Sequence, residues 1–248
     1  ASQLPEATYI ILPSDMGVIS DSGVSIIRQA LENVDSLLLG PGWGTERPTA
    51  DFIHGIFSSV KDDVTGGMGF AVESKGNTNA EFDTPRLPPT VVDADGLRLL
   101  AQLPEWYLRL PELSVLTPHP GEMAFLTGLS IDEIQSDRIN VASRFAIQWG
   151  HIVVLKGAFT VVCTPEGNVT VNPFANAALA CAGTGDVLAG LIAGLLAQGM
   201  QPHQAAVAGT FLHGLAGEIA LSEVGTAASV LASDVLDVTP KAISSVMS

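Results

Sequence analysis

Ala182-Gly183-Thr184-Gly185-Asp186-Val187-Leu188-Ala189-Gly190-Leu191-Ile192-Ala193-Gly194 places two glycines and a carboxylate at the entry to an apolar helical run. Gly183 and Gly185 permit a tight turn and let backbone amides approach an anion closely. The helix that follows adds its unpaired N–H groups and the positive end of its dipole. Phosphate is therefore expected at Gly183, Thr184 and Gly185. Asp186, on the first turn, stands where it can accept a proton from a hydroxyl attacking phosphorus. A short Gly-x-Gly-Asp also fits a plain helix cap whose glycines only relieve crowding, so the surrounding sequence has to decide.

Outward from that turn, short β-rich runs alternate with helical patterns, which is the signature of βα units around a mostly parallel sheet. Strands are expected at 9–12, 36–39, 90–93, 114–116 and 152–155. Residues 159–163 and 168–171 flank Pro165-Glu166-Gly167, whose turn chemistry predicts an antiparallel hairpin beside the parallel strands. Ser130-Ile131-Asp132-Glu133 fits a capping box for a helix carrying Ile134, Val141, Phe145 and Ile147 and ending near Gly150. Pro202 is placed as the first residue of a helix running to about Ser222. Residues 61–89, polar and closing on Pro85-Arg86-Leu87-Pro88-Pro89, read as a long surface excursion, either functional or a loop without chemical role.

Four of the expected strands run into polar or glycine-rich sequence, and open α/β sheets bind ligands at the carboxyl ends of their strands. These are Gly40-Pro41-Gly42-Trp43-Gly44, Asp93-Ala94-Asp95-Gly96, Thr117-Pro118-His119-Pro120-Gly121-Glu122, and Lys156-Gly157. Each residue alone has a plainer reading. Lys156 fits a solvated lysine, His119 a hydrogen-bonded loop residue, Glu122 a carboxylate favoured at a helix start, and Asp93 and Asp95 a strand end and turn. His213, on an Ala- and Gly-rich helix, reads as a core histidine bonded to a neighbouring element, and Cys181 as packing.

Composition narrows the classes. The 248 residues suit one large α/β domain spanning 1–248, and 47% hydrophobic against 15% charged residues argues for a compact enzyme-like body. Lys plus Arg number 11 against 26 Asp plus Glu, a net −15, which argues against a broad surface for nucleic acid or anionic lipid. An anionic substrate then needs local help from helix N-termini, one well-placed lysine or a bound cation. Cys163 and Cys181 have no disulfide-framework or zinc-ligand spacing, which favours a reducing compartment. The opening Ala1-Ser2-Gln3-Leu4-Pro5-Glu6 has no signal-peptide pattern, and the apolar run at 187–197 is too short to span a bilayer. A cytoplasmic protein without membrane or nucleic-acid partners is expected.

Taken in order, Gly40-Pro41-Gly42-Trp43-Gly44, Val92-Asp93-Ala94-Asp95-Gly96-Leu97, Leu116-Thr117-Pro118-His119-Pro120-Gly121-Glu122-Met123, Leu155-Lys156-Gly157-Ala158 and Ala182-Gly183-Thr184-Gly185-Asp186 closely resemble the NAD(P)H-hydrate dehydratase family. That family forms the carboxy-terminal half of many bifunctional nicotinamide-nucleotide repair enzymes. The resemblance runs from about Pro5 to about Ser244, with His213-Gly214-Leu215-Ala216-Gly217 and Ala232-Ser233-Asp234 also similar to the family. It implies a ribokinase-like three-layer αβα sandwich with a mostly parallel central sheet.

The resemblance further implies dehydration of the S epimer of hydrated NADH or NADPH, with conversion of ADP to AMP and phosphate, or ATP to ADP and phosphate, and with Mg²⁺. ADP is the expected donor. By analogy Asp186 deprotonates the ring hydroxyl, and the amides of Gly183, Thr184 and Gly185 hold the moving phosphoryl group. Lys156, Gly157, Ala158, Phe159 and Thr160, with Gly185, would contact the adenine nucleotide. Gly44, His119 and Asp186 would contact the hydrated dinucleotide, with Asp93, Glu122 and Asn176 in support and no metal ligands assigned. Family members are commonly homo-oligomers, often tetramers.

Two departures stand out. The family's glycine-rich strand-and-helix region before its Gly-Pro-Gly segment is expected to be missing here. Where the family writes Gly-Asn-Pro-Gly-Met-Ala-Thr, this chain has Ala175-Asn176-Ala177-Ala178-Leu179-Ala180-Cys181, so a less permissive backbone is expected around the retained Asn176. A small-molecule kinase of the same fold is an alternative, against which Thr117 to Glu122 speaks, and a non-catalytic nucleotide-binding remnant is a third reading.

Overall fold

A computed structural model describes residues 5–15, 17–57 and 87–247. Most of the excursion expected at 61–89 lies outside the described residues. The chain opens with a short antiparallel pair, β1 (Ser14–Asp15) and β2 (Val18–Ile19), followed by α1 (Val24–Ala30). Then come β3 (Leu37–Leu39), α2 (Arg47–Phe57), β4 (Thr90–Val92), α3 (Asp95–Leu100), β5 (Val115–Leu116) and α4 (Pro120–Thr127). Helices α5 (Ile131–Ser136) and α6 (Arg138–Trp149) lead to β6 (Ile152–Leu155), β7 (Val161–Cys163) and β8 (Val169–Val171). Three helices close the chain: α7 (Thr184–Ala197), α8 (Pro202–Val224) and α9 (Ala232–Met247).

Strands β3 to β8 form one sheet in sequential order. Strands β3, β4, β5 and β6 are parallel, and β7 and β8 continue antiparallel as the expected hairpin. The parallel strands are short and apolar on both faces because helices cover both sides. Alternation along each strand sorts the side chains. Leu39, Val92, Leu116, Val153 and Leu155 join Phe52, Ile53, Leu97, Met123, Phe145 and Trp149 from α2, α3, α4 and α6. Val91, Val115, Ile152, Val154 and Val162 join Leu188, Ile192, Leu196, Ala205 and Ala206 from α7 and α8. A third cluster packs α8 against α9 through Leu212, Ala216, Ala220, Val235 and Val238. Helices therefore cover both faces of the sheet, which is the three-layer arrangement that the family resemblance implies.

Helix α8 has the length and apolarity to cross a membrane, yet 56% of its apolar window is buried inside the fold. Its Pro202 is the first helical residue, as the sequence indicates.

Four expectations change. Residues 9–12 form no strand; Tyr9, Ile10 and Ile11 are exposed, and among the described residues β3 is the edge of the sheet and no strand stands beside them. The pattern from Ser130 to Gly150 is two helices, interrupted at Asp137 by φ −148 and ψ 57, while the capping box at Ser130 and Glu133 forms as read. Strand β7 begins at Val161 because Phe159 takes φ 54, which ends strand geometry there. The two alanines replacing the family's glycines are accommodated: Ala175 and Ala178 both avoid positive φ, and Asn176 caps the 3₁₀ turn Ala177–Ala180 by accepting from Ala178 N–H at 2.8 Å.

Candidate functional site

The ends of the four parallel strands converge through backbone contacts. Gly40, at the end of β3, has φ 116, and any Cβ there would strike the Asp93 carbonyl and the Gly96 backbone. Only glycine lets the turns after β3 and β4 lie this close. The turns are tied again where Gly44 N–H donates to Asp95 Oδ2 at 2.9 Å. The next strands follow suit, with Thr117 N–H donating to the Val92 carbonyl at 3.1 Å and Lys156 N–H to the Pro118 carbonyl at 2.8 Å.

Helix α4 begins at that crevice. His119 is its N-cap, Pro120 its first residue and Glu122 the third member of a capping box. His119 Nδ1 accepts from the N–H groups of Gly121 at 2.9 Å and Glu122 at 3.3 Å. The neutral ring therefore carries its proton on Nε2, 3.4 Å from Glu122 Oε1. Burial holds the His119 pKa below its ordinary value, with Lys156 and Arg98 acting the same way against the opposing pull of Glu122. Glu122 is thus the helix-start carboxylate of the plainer reading, while His119, read as a hydrogen-bonded loop residue, is the N-cap itself, and the cap fixes both beside the crevice.

Glu122 Oε2 accepts from the His119 backbone N–H at 2.7 Å and lies 3.6 Å from Lys156 Nζ. Lys156 Nζ in turn donates to Asp93 Oδ1 at 2.5 Å. This lysine is no solvated surface residue; its side chain is 16% exposed and Asp93 only 1%. Arg138, which the sequence reading did not single out, braces the turn by donating to the carbonyls of Leu155 at 2.9 Å and Lys156 at 3.3 Å. A Cβ on Gly157, where φ is +148, would meet that guanidinium at 2.8 Å.

Helix α7 points its N-terminus at the same place. Gly183 caps it with φ 89, and Thr184 Oγ1 hydrogen-bonds the carbonyls of Leu179 at 2.7 Å and Cys181 at 2.8 Å, anchoring the loop to the helix. A Cβ at Gly185 would stand 3.4 Å from Lys156 Nζ and 3.8 Å from Asp93 Oδ2. The first-turn N–H groups of Gly185 and Asp186 lack intrahelical acceptors, and Gly185 stands beside the Lys156 ammonium, a combination that suits an anion. Asp186 is exposed. Its pKa is raised by desolvation first, then by Asp93 and Asp95, against the lowering effect of Lys156.

A cavity of about 750 Å³ opens beside this turn, a volume suited to a nucleotide. Of the expected nucleotide contacts, Lys156, Gly157, Ala158, Thr160 and Gly185 line it, as do His119, Thr184 and Asn176. Phe159 does not line it and is 52% exposed. Gly44 and Asp186 lie outside its wall; Asp186 instead borders a second hollow of about 440 Å³ with Val187, Leu191 and Leu236. The turn Gly183 to Asp186 thus stands between two spaces.

Sequence reading missed Asn172, Phe174 and Thr210 in the cavity wall, and left His213 in the core. His213 is indeed buried, and desolvation pushes its pKa down to about 4, but it also faces the cavity. The one available signal was the adjacent Gly214, whose missing side chain lets the Phe174 ring lie against α8.

The profile of the NAD(P)H-hydrate dehydratase family matches residues 7–241. The chain belongs to this family. It is 36% identical over 241 residues to a bifunctional NAD(P)H-hydrate repair enzyme from Moorella thermoacetica, covering 97% of this chain and 40% of that protein. It is 33% identical over 220 residues to an ADP-dependent (S)-NAD(P)H-hydrate dehydratase from Neisseria meningitidis, covering 88% of this chain and 65% of that one. Among solved structures, the ADP/ATP-dependent NAD(P)H-hydrate dehydratase from Bacillus subtilis, co-crystallised with ATP and Mg²⁺, superposes with a TM-score of 0.71 at 27% identity. That superposition covers 98% of this chain and 75% of the Bacillus chain. The dehydratase family fold therefore extends over nearly all of this chain, which spans 40% of the Moorella relative.

Proposed function

We propose that this protein dehydrates the S epimer of hydrated NADH or NADPH at the expense of ADP or ATP, returning the intact reduced dinucleotide. The observation that carries the reading is Gly185 set against the Lys156 ammonium, between a nucleotide-sized cavity and the exposed carboxylate of Asp186. The names of the Neisseria and Bacillus relatives support the same chemistry.

In this account the adenine nucleotide occupies the large cavity, its polyphosphate directed at Lys156 and the amides of Gly183, Thr184 and Gly185. The hydrated dinucleotide approaches past Gly44, Asp186 and His119, the last of which also lines the large cavity. Asp186 takes the proton of the ring hydroxyl as its oxygen forms a bond to the terminal phosphorus and the donor's P–O bond breaks, releasing AMP from ADP or ADP from ATP. A carboxylate whose pKa is raised by desolvation and by Asp93 is a better base than a free one. The amides and Lys156 hold the charge on the transferring group without having to reorganise. Phosphate then departs from the ring carbon while the neighbouring carbon loses a proton, which restores the ring double bond and makes hydroxide's poor leaving ability irrelevant.

Among the described residues no group of three His, Cys, Asp or Glu forms a metal cage. Mg²⁺ would keep several waters and be held by one or two carboxylates together with substrate phosphates. Asp93, Asp95 and Asp186, close enough to act on one another electrostatically, are the acidic side chains that would hold such a cation. The two free cysteines accord with a cytoplasmic setting. Exposed Leu231, Leu236, Val246 and Met247 along α9 support assembly of copies into a homo-oligomer, a tetramer in this reading.

The test mixes the protein with hydrated NADH, Mg²⁺ and ADP or ATP and follows recovery of the reduced nicotinamide absorbance. Stoichiometric AMP or ADP and phosphate should appear with it. Nucleotide hydrolysis without dinucleotide recovery would refute the reading.

A further inference from the structure

Asn172 follows β8 and is 6% exposed, yet it lines the cavity. Its backbone N–H donates to the Thr160 carbonyl at 2.8 Å, which sets it across the hairpin from the Lys156-to-Thr160 turn. From Lys156 at the end of β6 to Asn172 at the end of β8 is two strand spacings, roughly 10 Å. An extended nucleotide anchored by its phosphates at Lys156 covers such a span with its sugar and reaches Asn172 with its base.

The amide is held in one orientation. Asn172 Oδ1 accepts from the Phe174 backbone N–H at 3.3 Å. Rotating the amide by half a turn would oppose its NH₂ to that N–H, so the oxygen stays and Nδ2 is directed elsewhere. One lone pair of Oδ1 and the two hydrogens of Nδ2 remain for a ligand. Phe174 itself lines the cavity, its ring backed by Phe211 at 5.3 Å and by α8 at Gly214, and so offers an apolar face for a planar ring.

We infer that Asn172, locked by the Phe174 N–H, reads the base of the nucleotide co-substrate and selects a 6-amino purine over a 6-oxo purine. The inference rests on the nucleotide reading of the cavity and goes beyond it by assigning the base-selecting residue. An acceptor beside a donor matches the exocyclic amine and adjacent ring nitrogen of adenine, the pairing asparagine makes with that base elsewhere. A 6-oxo purine presents two acceptors on that edge. Its O6 would face Oδ1, and the fixed amide cannot turn to relieve the clash.

Calorimetric titration of the wild-type protein and Asn172→Leu with ADP and with inosine 5′-diphosphate, both with Mg²⁺, tests this. Wild type should bind ADP at least about tenfold more tightly than the inosine nucleotide, as expected for one bidentate pair. In Asn172→Leu, ADP affinity should fall by about that factor while the inosine nucleotide changes less than about twofold, so the discrimination disappears. Should the leucine variant fail to fold by its thermal melt, Asn172→Ala, which removes both the acceptor and the donor, must show the same loss of discrimination. Equal wild-type affinities for the two nucleotides, or discrimination retained in a folded variant, would overturn the inference while leaving the nucleotide site intact. Binding of neither nucleotide to the wild type would instead sink the underlying functional reading.

Discussion

Lys156 Nζ lies 2.5 Å from Asp93 Oδ1, and the carboxylate it holds is 1% exposed. The lysine that faces Gly185 is therefore also the counter-ion of a buried acid. Among the described residues Asp93 Oδ2 has no hydrogen-bond partner, so the pair is incompletely satisfied there and its two halves depend on each other.

Removing the lysine should accordingly cost stability as well as activity. Lys156→Met is expected to lower unfolding free energy by roughly 3 kcal/mol, because an uncompensated buried carboxylate remains. Adding Asp93→Asn should recover at least half of that loss in urea unfolding, while turnover stays lost.

Asp186→Asn should behave oppositely. Its kcat should fall about 100-fold or more, as for loss of a general base, with ADP affinity changed less than about twofold. The Asp186 pKa is raised in the folded state, so at pH values above that folded pKa its charge disfavours the fold. The variant should therefore melt higher than wild type in that range. The advantage should shrink as pH falls through the folded pKa, where the wild-type group protonates, and calorimetric melts across pH read this directly.

How far the sequence reached depended on where each residue gets its meaning. The sheet was legible because Val91-Val92, Val115-Leu116 and Ile152 to Leu155 are apolar on both faces, and the α7 entry because Gly183, Thr184, Gly185 and Asp186 are contiguous. Asp137 gave no signal, since a helix interruption between two amphipathic stretches preserves the apolar pattern on both sides. Residues 9–12 misled because a β-rich run becomes a strand only when another strand stands beside it. Asn172, Phe174, Thr210 and His213 reach the cavity from segments well apart in the chain, so no local motif announces them.

His213 predicts an acid limit to stability. Desolvation lowers its pKa to about 4 from an ordinary 6.5, against the opposing hydrogen bond with the Thr184 backbone. Between those values the unfolded chain takes up a proton that the folded protein refuses. Stability should therefore fall as pH drops from 6.5 towards 4, by up to roughly 3 kcal/mol. His213→Gln should flatten that part of the profile by one proton's worth of slope in denaturant titrations.

Gly40→Ala should be among the most damaging single changes in the chain. The left-handed φ of 116 and the collision with the Asp93 carbonyl and Gly96 backbone leave no room for a methyl group. Loss of about 3 kcal/mol or more is expected, seen as a large drop in melting temperature or as insoluble protein.

A crystal structure of the complex with ADP and Mg²⁺ tests the central claim most directly. The account requires the terminal phosphoryl oxygens within hydrogen-bonding distance of the Gly185 amide and Lys156 Nζ, with Asp186 open on the opposite side of the turn. A nucleotide whose phosphates lie away from residues 183–186 would contradict it.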